Sequence, residues 1–464
     1  MRCGCSDVRR LGKYKVCGLL GRGGMARVYK VRLPVIGKVA ALKRLEPRPE
    51  LEALIGEARL RALFTAEART MAGMRHPNLV QVLDYGTAGG RPFYVMAFHA
   101  VNLGDVIGET YRAEAPSRIL RLDRAVDYTR QVLDGLARLH FGGVIHRDVK
   151  PFNLLITEDD RVQIGDFGLS KLRGERFGGP SNLKIGSPFY TAPEQESTPD
   201  DVGPAADLFS VGVMLLRMLT SRLPEGASHP PSRMNPDLDP SWDEFFKKAT
   251  APRPEDRFDS AAQMKSALET LYAAWQKRQE RICTIDAAPG RNAAAQSAAG
   301  RRTRRQTPVK VRPGAARDFF GLDALWRPKR YAPNRFEAQA PGTVFDAATR
   351  LLWEQAGTPY PVSWQEAHRH VAEKNRQRYA GRTDWRLPTV DELLTLLSAP
   401  PHGADFCIDS QFEETQRRLW TCDRASFISA WYIDAQLGFV HRHDFEAPFY
   451  ARAVCTAEDQ KFRR

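Results

Sequence analysis

The sequence predicts an α+β protein of two folded domains with a basic linker between them, and three observations carry that expectation. Over residues 13–276, short β-like runs come first and apolar-periodic helical stretches follow. Residues 277–340 turn Ala-, Arg- and Pro-rich, with neither period. Residues 341–458 mix short alternating runs with two capped helices among tryptophans. Length agrees, since 464 residues exceed the roughly 100–200 that one domain commonly uses. With 42% hydrophobic and 27% charged residues and a mean hydropathy of −0.44, the composition excludes wholesale disorder, collagen-like repeats and a polytopic membrane protein. The richest apolar run, VGVMLLRMLT at 211–220, is short and interrupted by Arg217. It predicts a buried helix, because a membrane span needs roughly 18 or more apolar residues. The N-terminal MRCGCSDVRRLGKYKVCG lacks the apolar core of a secretory signal, so a cytoplasmic location is expected. Seven cysteines are scattered without a CxxC pair, which predicts free, mostly buried thiols rather than zinc ligands or disulfides.

Taken in order, the first element is LLGRGGMARVYKV, which sets Gly21, Gly23 and Gly24 between two β-like runs, as expected where backbone lies close over phosphates. The run Val39-Ala40-Ala41-Leu42-Lys43 follows as a strand, and alternation places Ala41 and Lys43 on one face. A lysine there can reach phosphate oxygens. Next, the stretch that includes FTAEARTMAGM predicts a helix with Ala62, Ala66, Met71 and Met74 toward the core, ending at His76-Pro77-Asn78. Its Glu67 is the natural counter-ion of Lys43.

Three motifs then come in order: HRDVKPFN at 146–153, DFG at 166–168 and APE at 192–194. With the glycine-rich turn and strand lysine before them, they resemble the protein kinase family over roughly residues 13–273. The phrases GRGGMARVY, RHPNLVQVLDYG, GSPFYTAPEQ and LFSVGVMLLRMLTSRLP resemble the bacterial, eukaryotic-like (Hanks-type) Ser/Thr kinases. The resemblance implies a bilobal fold, a β-rich N-lobe over a helical C-lobe, and phosphorylation of protein Ser or Thr from ATP with Mg²⁺ or Mn²⁺. It implies Asp148 as catalytic base, Lys150 neutralising the transferring phosphoryl group, and Asn153 and Asp166 as metal ligands. Lys43, held by Glu67, would grip the α/β-phosphates, and Val28, Ala41 and Leu155 would enclose the adenine. It also implies a structural ion pair between Glu194 and Arg257, and Asp207 as a brace of the catalytic loop. Arg147 beside Asp148 and the single hydroxyl Ser181 between DFGLS and GSP make Ser181 the expected regulatory phosphosite. Two departures stand out: Ala26 replaces the third loop glycine, and Ala97 follows Met96 where an acidic residue is usual. Neither removes a catalytic group. The alternatives are an ATP-binding pseudokinase scaffold, or a binding protein whose basic linker recruits anionic partners.

The chain carries 69 Lys/Arg against 55 Asp/Glu, a net +14, and residues 281–340 hold thirteen against four. Most of the excess therefore sits in the linker, whose second half mixes Phe319, Phe320, Trp326 and Tyr331 with Arg and Lys. A solvated linker is favoured there over a nucleic-acid or partner site. Beyond it, Ser363 with Glu366 and Thr389 with Glu392 form capping boxes before two helices. TVFDAATRLLWEQAG, WRLPTVDEL and WYIDAQLGFVHRHDF resemble the Lcl C-terminal domain family over about residues 342–456. The resemblance implies a small α+β, C-type-lectin-like recognition module for an unidentified ligand or protein. Trp385, Arg386 and Pro388 are expected to be structural, and the strand pair His441 and His443 lacks a third ligand for a metal.

Overall fold

The computed structural model describes residues 10–110, 112, 115–166, 171–172, 189–198, 201–224, 229–285, 305–339, 342–399, 407–413 and 415–457. It divides into two compact units, Met1–Asp286 and Ala287–Arg464.

The first unit opens with β1 (Arg10–Leu11), β2 (Tyr14–Arg22), β3 (Ala26–Arg32) and β4 (Val39–Leu45), then α1 (Pro49–Ile55), α2 (Glu57–Gly73), β5 (Val82–Ala88) and β6 (Arg91–Ala97). The strands form one antiparallel sheet in the order β1-β2-β3-β4-β6-β5. Its period-2 alternation separates two faces. Tyr29, Val31, Ala40, Leu42, Phe93 and Val95 pack with Leu11 and Tyr14 on one side. The other face carries Val28 opposite Lys43, Lys30 opposite Ala41, Lys43 opposite Tyr94, and Ala41 opposite Met96.

Helix α2 buries Leu60, Phe64, Glu67, Ala68 and Met71, an i, i+4, i+7, i+8, i+11 stripe. This corrects the expected core face, because Ala62 and Ala66 are exposed. The larger Leu60 and Phe64 bury more apolar surface than two alanines do, and the rotation they impose is the one that turns Glu67 inward.

The rest of the unit is mainly helical: β7 (Val101–Asn102), α3 (Leu103–Ile107), α4 (Leu122–Phe141), β8 (Val144–Ile145), β9 (Leu154–Ile156), β10 (Val162–Ile164), β11 (Lys171–Leu172), α5 (Pro193–Ser197), α6 (Ala205–Thr220), α7 (Pro231–Met234), α8 (Pro240–Ala249) and α9 (Ala261–Ile285). Helix α6 is apolar nearly all round and buries every residue of 206–220 except Phe209, as a helix at the centre of a lobe must. Its Arg217 is fully buried and pairs with Glu109 at 3.0 Å. Among the described residues, no helix is long and apolar enough to cross a membrane.

The second unit contains α10 (Pro313–Phe319), β12 (Phe336–Gln339), β13 (Thr343–Asp346), β14 (Leu351–Glu354), α11 (Trp364–Arg376), α12 (Val390–Leu396), β15 (Arg418–Arg424), β16 (Ser429–Asp434), β17 (Phe439–Asp444) and β18 (Val454–Thr456). The strands make a four-stranded sheet, β12-β13-β14-β18, and a three-stranded one, β15-β16-β17. Both expected capping boxes are present, at Ser363/Glu366 and Thr389/Glu392. Trp385 is 2% exposed and donates its indole N–H to Tyr379 O at 2.9 Å. Arg386 grips the buried Glu392 through two hydrogen bonds. Both residues are spent on the fold.

The segment expected as linker behaves differently at its two ends. Residues 277–285 continue α9, and residues 286–304 lie outside the described residues. Residues 305–339 pack into the second unit: Val311, Ala316, Phe320 and Leu322 join its core with Trp353 and Trp431, and Trp326 stacks on Trp431 at 5.8 Å. Phe320 is a core residue and Trp326 and Tyr331 pack against the core, whereas Phe319 stays exposed; the burial of the first three outweighs the basic, proline-rich composition that reads as solvated chain. Arg305 fastens this segment, pairing with Asp391 and with both oxygens of fully buried Asp423. Asp423 also accepts the backbone N–H groups of Val309 and Val390. Removing one partner of such a pair strands the others. Asp423→Ala is therefore expected to lower the unfolding free energy of this unit by about 3–5 kcal/mol, measured by urea denaturation of the full chain against wild type.

Candidate active site

Strand β4 delivers Lys43 to the inner face of the sheet, where it is 6% exposed. Its Nζ lies 2.8 Å from Glu67 Oε1 and 2.6 Å from Asp166 Oδ1. Tyr94, opposite Lys43 on β6, donates its hydroxyl to the same Glu67 Oε1 at 2.8 Å. Burial opposes the ammonium charge, yet the carboxylates of Asp166 and Glu67 overcome it and raise the Lys43 pKa well above its ordinary value. The charge of Lys43 in turn holds the Asp166 carboxyl at about 2, with smaller contributions from its hydrogen bond and from Lys150. Two carboxylates face one ammonium here, so the cluster keeps a net negative charge on the half-exposed Asp166.

Asp166 follows β10 with a left-handed backbone, φ 56°. Its neighbour Gly165 donates its N–H to Asn153 O at 2.9 Å and accepts from His146 Nε2 at 3.1 Å. A side chain at Gly165 would press against Val80 at 3.3 Å. These contacts tie the Asp166 turn to the loop 146–153. In that loop Arg147 is also left-handed, φ 67°. Fully buried Asp207 accepts the backbone N–H groups of His146 at 2.9 Å and Arg147 at 2.7 Å, and its Oδ2 lies 2.8 Å from His140 Nε2. Asp207 is thus the brace the resemblance implies. Burial would raise its pKa, but the His140 hydrogen bond and charge keep it lowered.

Asp148 is 8% exposed. Lys150 Nζ lies 2.7 Å from its Oδ2, and Asn153 Nδ2 donates to Asp148 O at 2.8 Å and Oδ2 at 3.0 Å. With Nδ2 so engaged, Asn153 presents its amide oxygen as remaining acceptor. His146 Nδ1 accepts the Asp148 N–H at 3.2 Å.

The turn between β2 and β3 closes through Gly23 N–H to Ala26 O at 2.9 Å. None of Gly21, Gly23 and Gly24 has a positive φ, and a side-chain carbon on Gly21 would meet nothing within 4 Å. Glycine here keeps the space beside the backbone open rather than permitting a left-handed turn. Val28 and Ala41 share the face of Lys43, and half-buried Leu155 sits on β9 between Asn102 and Gln163.

The structure therefore gathers Lys43, Glu67 and Asp166 into one cluster and Asp148, Lys150 and Asn153 into another, joined through Gly165 and His146. Arg257 holds Glu194 through two bonds of 2.7 and 2.8 Å. Phe167, Gly168 and Ser181 lie outside the described residues. Sequence reasoning missed Tyr94 and the bridging role of His146. Their signals are a strand register and a ring-nitrogen contact, and neither is visible before the chain is folded.

Tyr94→Phe keeps the ring against Phe64, 5.2 Å away, but removes one donor from Glu67. A loss of about 1 kcal/mol in urea unfolding is expected. For acid titration, a carboxyl lowered to about 2 contributes stability that is complete above its unfolded value near 4 and fades as pH falls toward 2. Asp166→Asn should flatten the stability profile in that window, measured as thermal midpoint against pH.

Residues 14–284 match the protein kinase domain family, and residues 342–455 match the Lcl C-terminal domain family. The chain is 32% identical over 306 residues to serine/threonine-protein kinase pkn3 of Myxococcus xanthus, covering 61% of this chain and 52% of that protein. It is 32% identical over 291 residues to probable serine/threonine-protein kinase pknA2 of Bifidobacterium longum, covering 58% and 37% respectively. It thus spans about half or less of the length of these curated relatives. The crystal structure of the Mycobacterium tuberculosis PknI kinase domain is 24% identical with a TM-score of 0.43, covering 58% of this chain and 100% of that one. Because the kinase domain match takes in more than half of its length, this chain belongs to the protein kinase family.

Proposed function

We propose that this protein transfers the γ-phosphate of ATP to Ser or Thr side chains of protein substrates. The observation that carries the reading is the buried Lys43 held between Glu67 and Asp166, beside a second cluster in which Asp148 meets Lys150 and Asn153. One cluster suits the phosphates of a nucleotide and the other suits an attacking hydroxyl.

In this reading the hydroxyl oxygen of the substrate attacks the γ-phosphorus, the bond to the β–γ bridging oxygen breaks, and ADP leaves. Asp148 takes the hydroxyl proton. Lys150, already 2.7 Å from Asp148, neutralises charge gathering on the transferred group. Lys43 draws the α- and β-phosphates to the sheet, while the glycine turn leaves room for them and Val28, Ala41 and Leu155 offer apolar contact to the base. The ionised, half-exposed Asp166 and the amide oxygen of Asn153 are hard oxygen donors that fit Mg²⁺. Such an ion would supply charge neutralisation on the phosphates, and Lys43 would then share Asp166 with it. Acceptor preference for Ser and Thr and phosphorylation of Ser181 belong to the same proposal, supported by Lys150 in HRDVKPFN and by the hydroxyl's place in the sequence.

The test is Mg·ATP-dependent phosphate incorporation by the full chain into itself and into a generic Ser/Thr acceptor, with labelled residues mapped. Wild type should label Ser or Thr, and Asp148→Asn should reduce kcat by about 10²–10⁴-fold while still binding ATP. Equal labelling by both proteins, or no labelling by wild type that binds ATP, would overturn the reading.

A further inference from the structure

The peptide that leads into Asp148 is held from an unexpected direction. Arg147 sits in a left-handed backbone conformation, φ 67°, which is strained for a residue with a side chain and persists only when neighbours fix it. Its N–H is fixed by Asp207 at 2.7 Å. Its carbonyl is fixed by Gln195, whose Nε2 donates to Arg147 O at 2.9 Å. Gln195 is 3% exposed, and its Oε1 faces the N–H of Ala192 at 3.4 Å, so the carboxamide is aimed with its donor toward the loop. The residue before it, Glu194, is clamped by Arg257 through two bonds. Helix α5 is thereby anchored on one side and reaches the Asp148 peptide on the other. The next peptide N–H, that of Asp148, rests on His146 Nδ1.

We infer that Gln195 is a positioning residue for Asp148, carrying the placement of the segment 192–197 to the base through the Arg147 carbonyl. The inference rests on the kinase reading of Asp148. Among the described residues the Gln195 carboxamide bonds to Ala192 and Arg147 and not to Lys43, Glu67 or Asp166, so nucleotide binding should be indifferent to it.

The test uses full-length Gln195→Met, which keeps the volume and removes both polar atoms, and Gln195→Glu, which keeps the acceptor for Ala192 but turns an oxygen toward the Arg147 carbonyl. Both should lower kcat, Gln195→Met by about tenfold and Gln195→Glu by more. The KM for ATP should stay within twofold, and the thermal midpoint should fall less for Gln195→Met than for Gln195→Glu, which buries a carboxylate. Hydrogen–deuterium exchange should rise in the peptide covering residues 146–153 and not in residues 18–30. A kcat within twofold of wild type for both variants would overturn the inference, as would a rise in the KM for ATP matching the fall in kcat. Unchanged exchange at 146–153 would overturn it as well. If wild type transfers no phosphate the kinase reading fails, and the exchange measurement still decides whether Gln195 holds the loop.

Discussion

A single buried ammonium organises the site. Lys43 comes from a strand, Glu67 from a helix and Asp166 from a turn 123 residues beyond Lys43, and the lysine bonds to both carboxylates. Taking that charge out of water is costly, and an unpartnered lysine there would lose its proton. Two carboxylates reverse the balance and hold it charged. The same contacts hold α2 in the rotation that Leu60 and Phe64 impose, since Glu67 belongs to the same buried stripe. They also join the strand-rich and helix-rich parts of the unit. Asp166 is the most accessible of the three, and in the proposed reaction it is the group that would receive a cation brought in with the phosphates.

Around that cluster the chain accepts local strain and offsets it with buried hydrogen bonds. Arg147 and Asp166 are both left-handed; the first adjoins Asp148 and the second is itself given a chemical task in the proposed reaction. Asp207 is fully buried and pays part of that cost by accepting two consecutive backbone N–H groups while it faces His140. His146 joins the two turns, with one ring nitrogen toward Gly165 and the other toward Asp148. Rigid placement of this kind favours a reaction whose catalysis is mostly positioning and electrostatic stabilisation.

Much of this was legible in the sequence because short-range chemistry dictated it. Alternation put Lys43 on one face with Ala41, and the capping boxes at Ser363 and Thr389 announced helices that are there. What was not legible depends on partners distant in the chain. The α2 core face was misread because Ala62 and Ala66 fit the period as well as Leu60 and Phe64 do, and only volume decides between them. Residues 305–339 look like linker because their charge dominates the composition, whereas Arg305 and the aromatics find buried partners as far away as Asp423 and Trp431. Tyr94 and Gln195 carry no motif signal, and their roles follow from a register and a helix placement.

In the proposed reaction Lys43 and Asp166 act as one electrostatic unit that receives phosphates together with a cation. Calorimetric ATP affinity, measured with and without Mg²⁺ for wild type and Asp166→Asn, tests it most directly. Mg²⁺ should tighten ATP binding to wild type and have little effect on Asp166→Asn. An equal Mg²⁺ dependence in the two proteins would contradict the account.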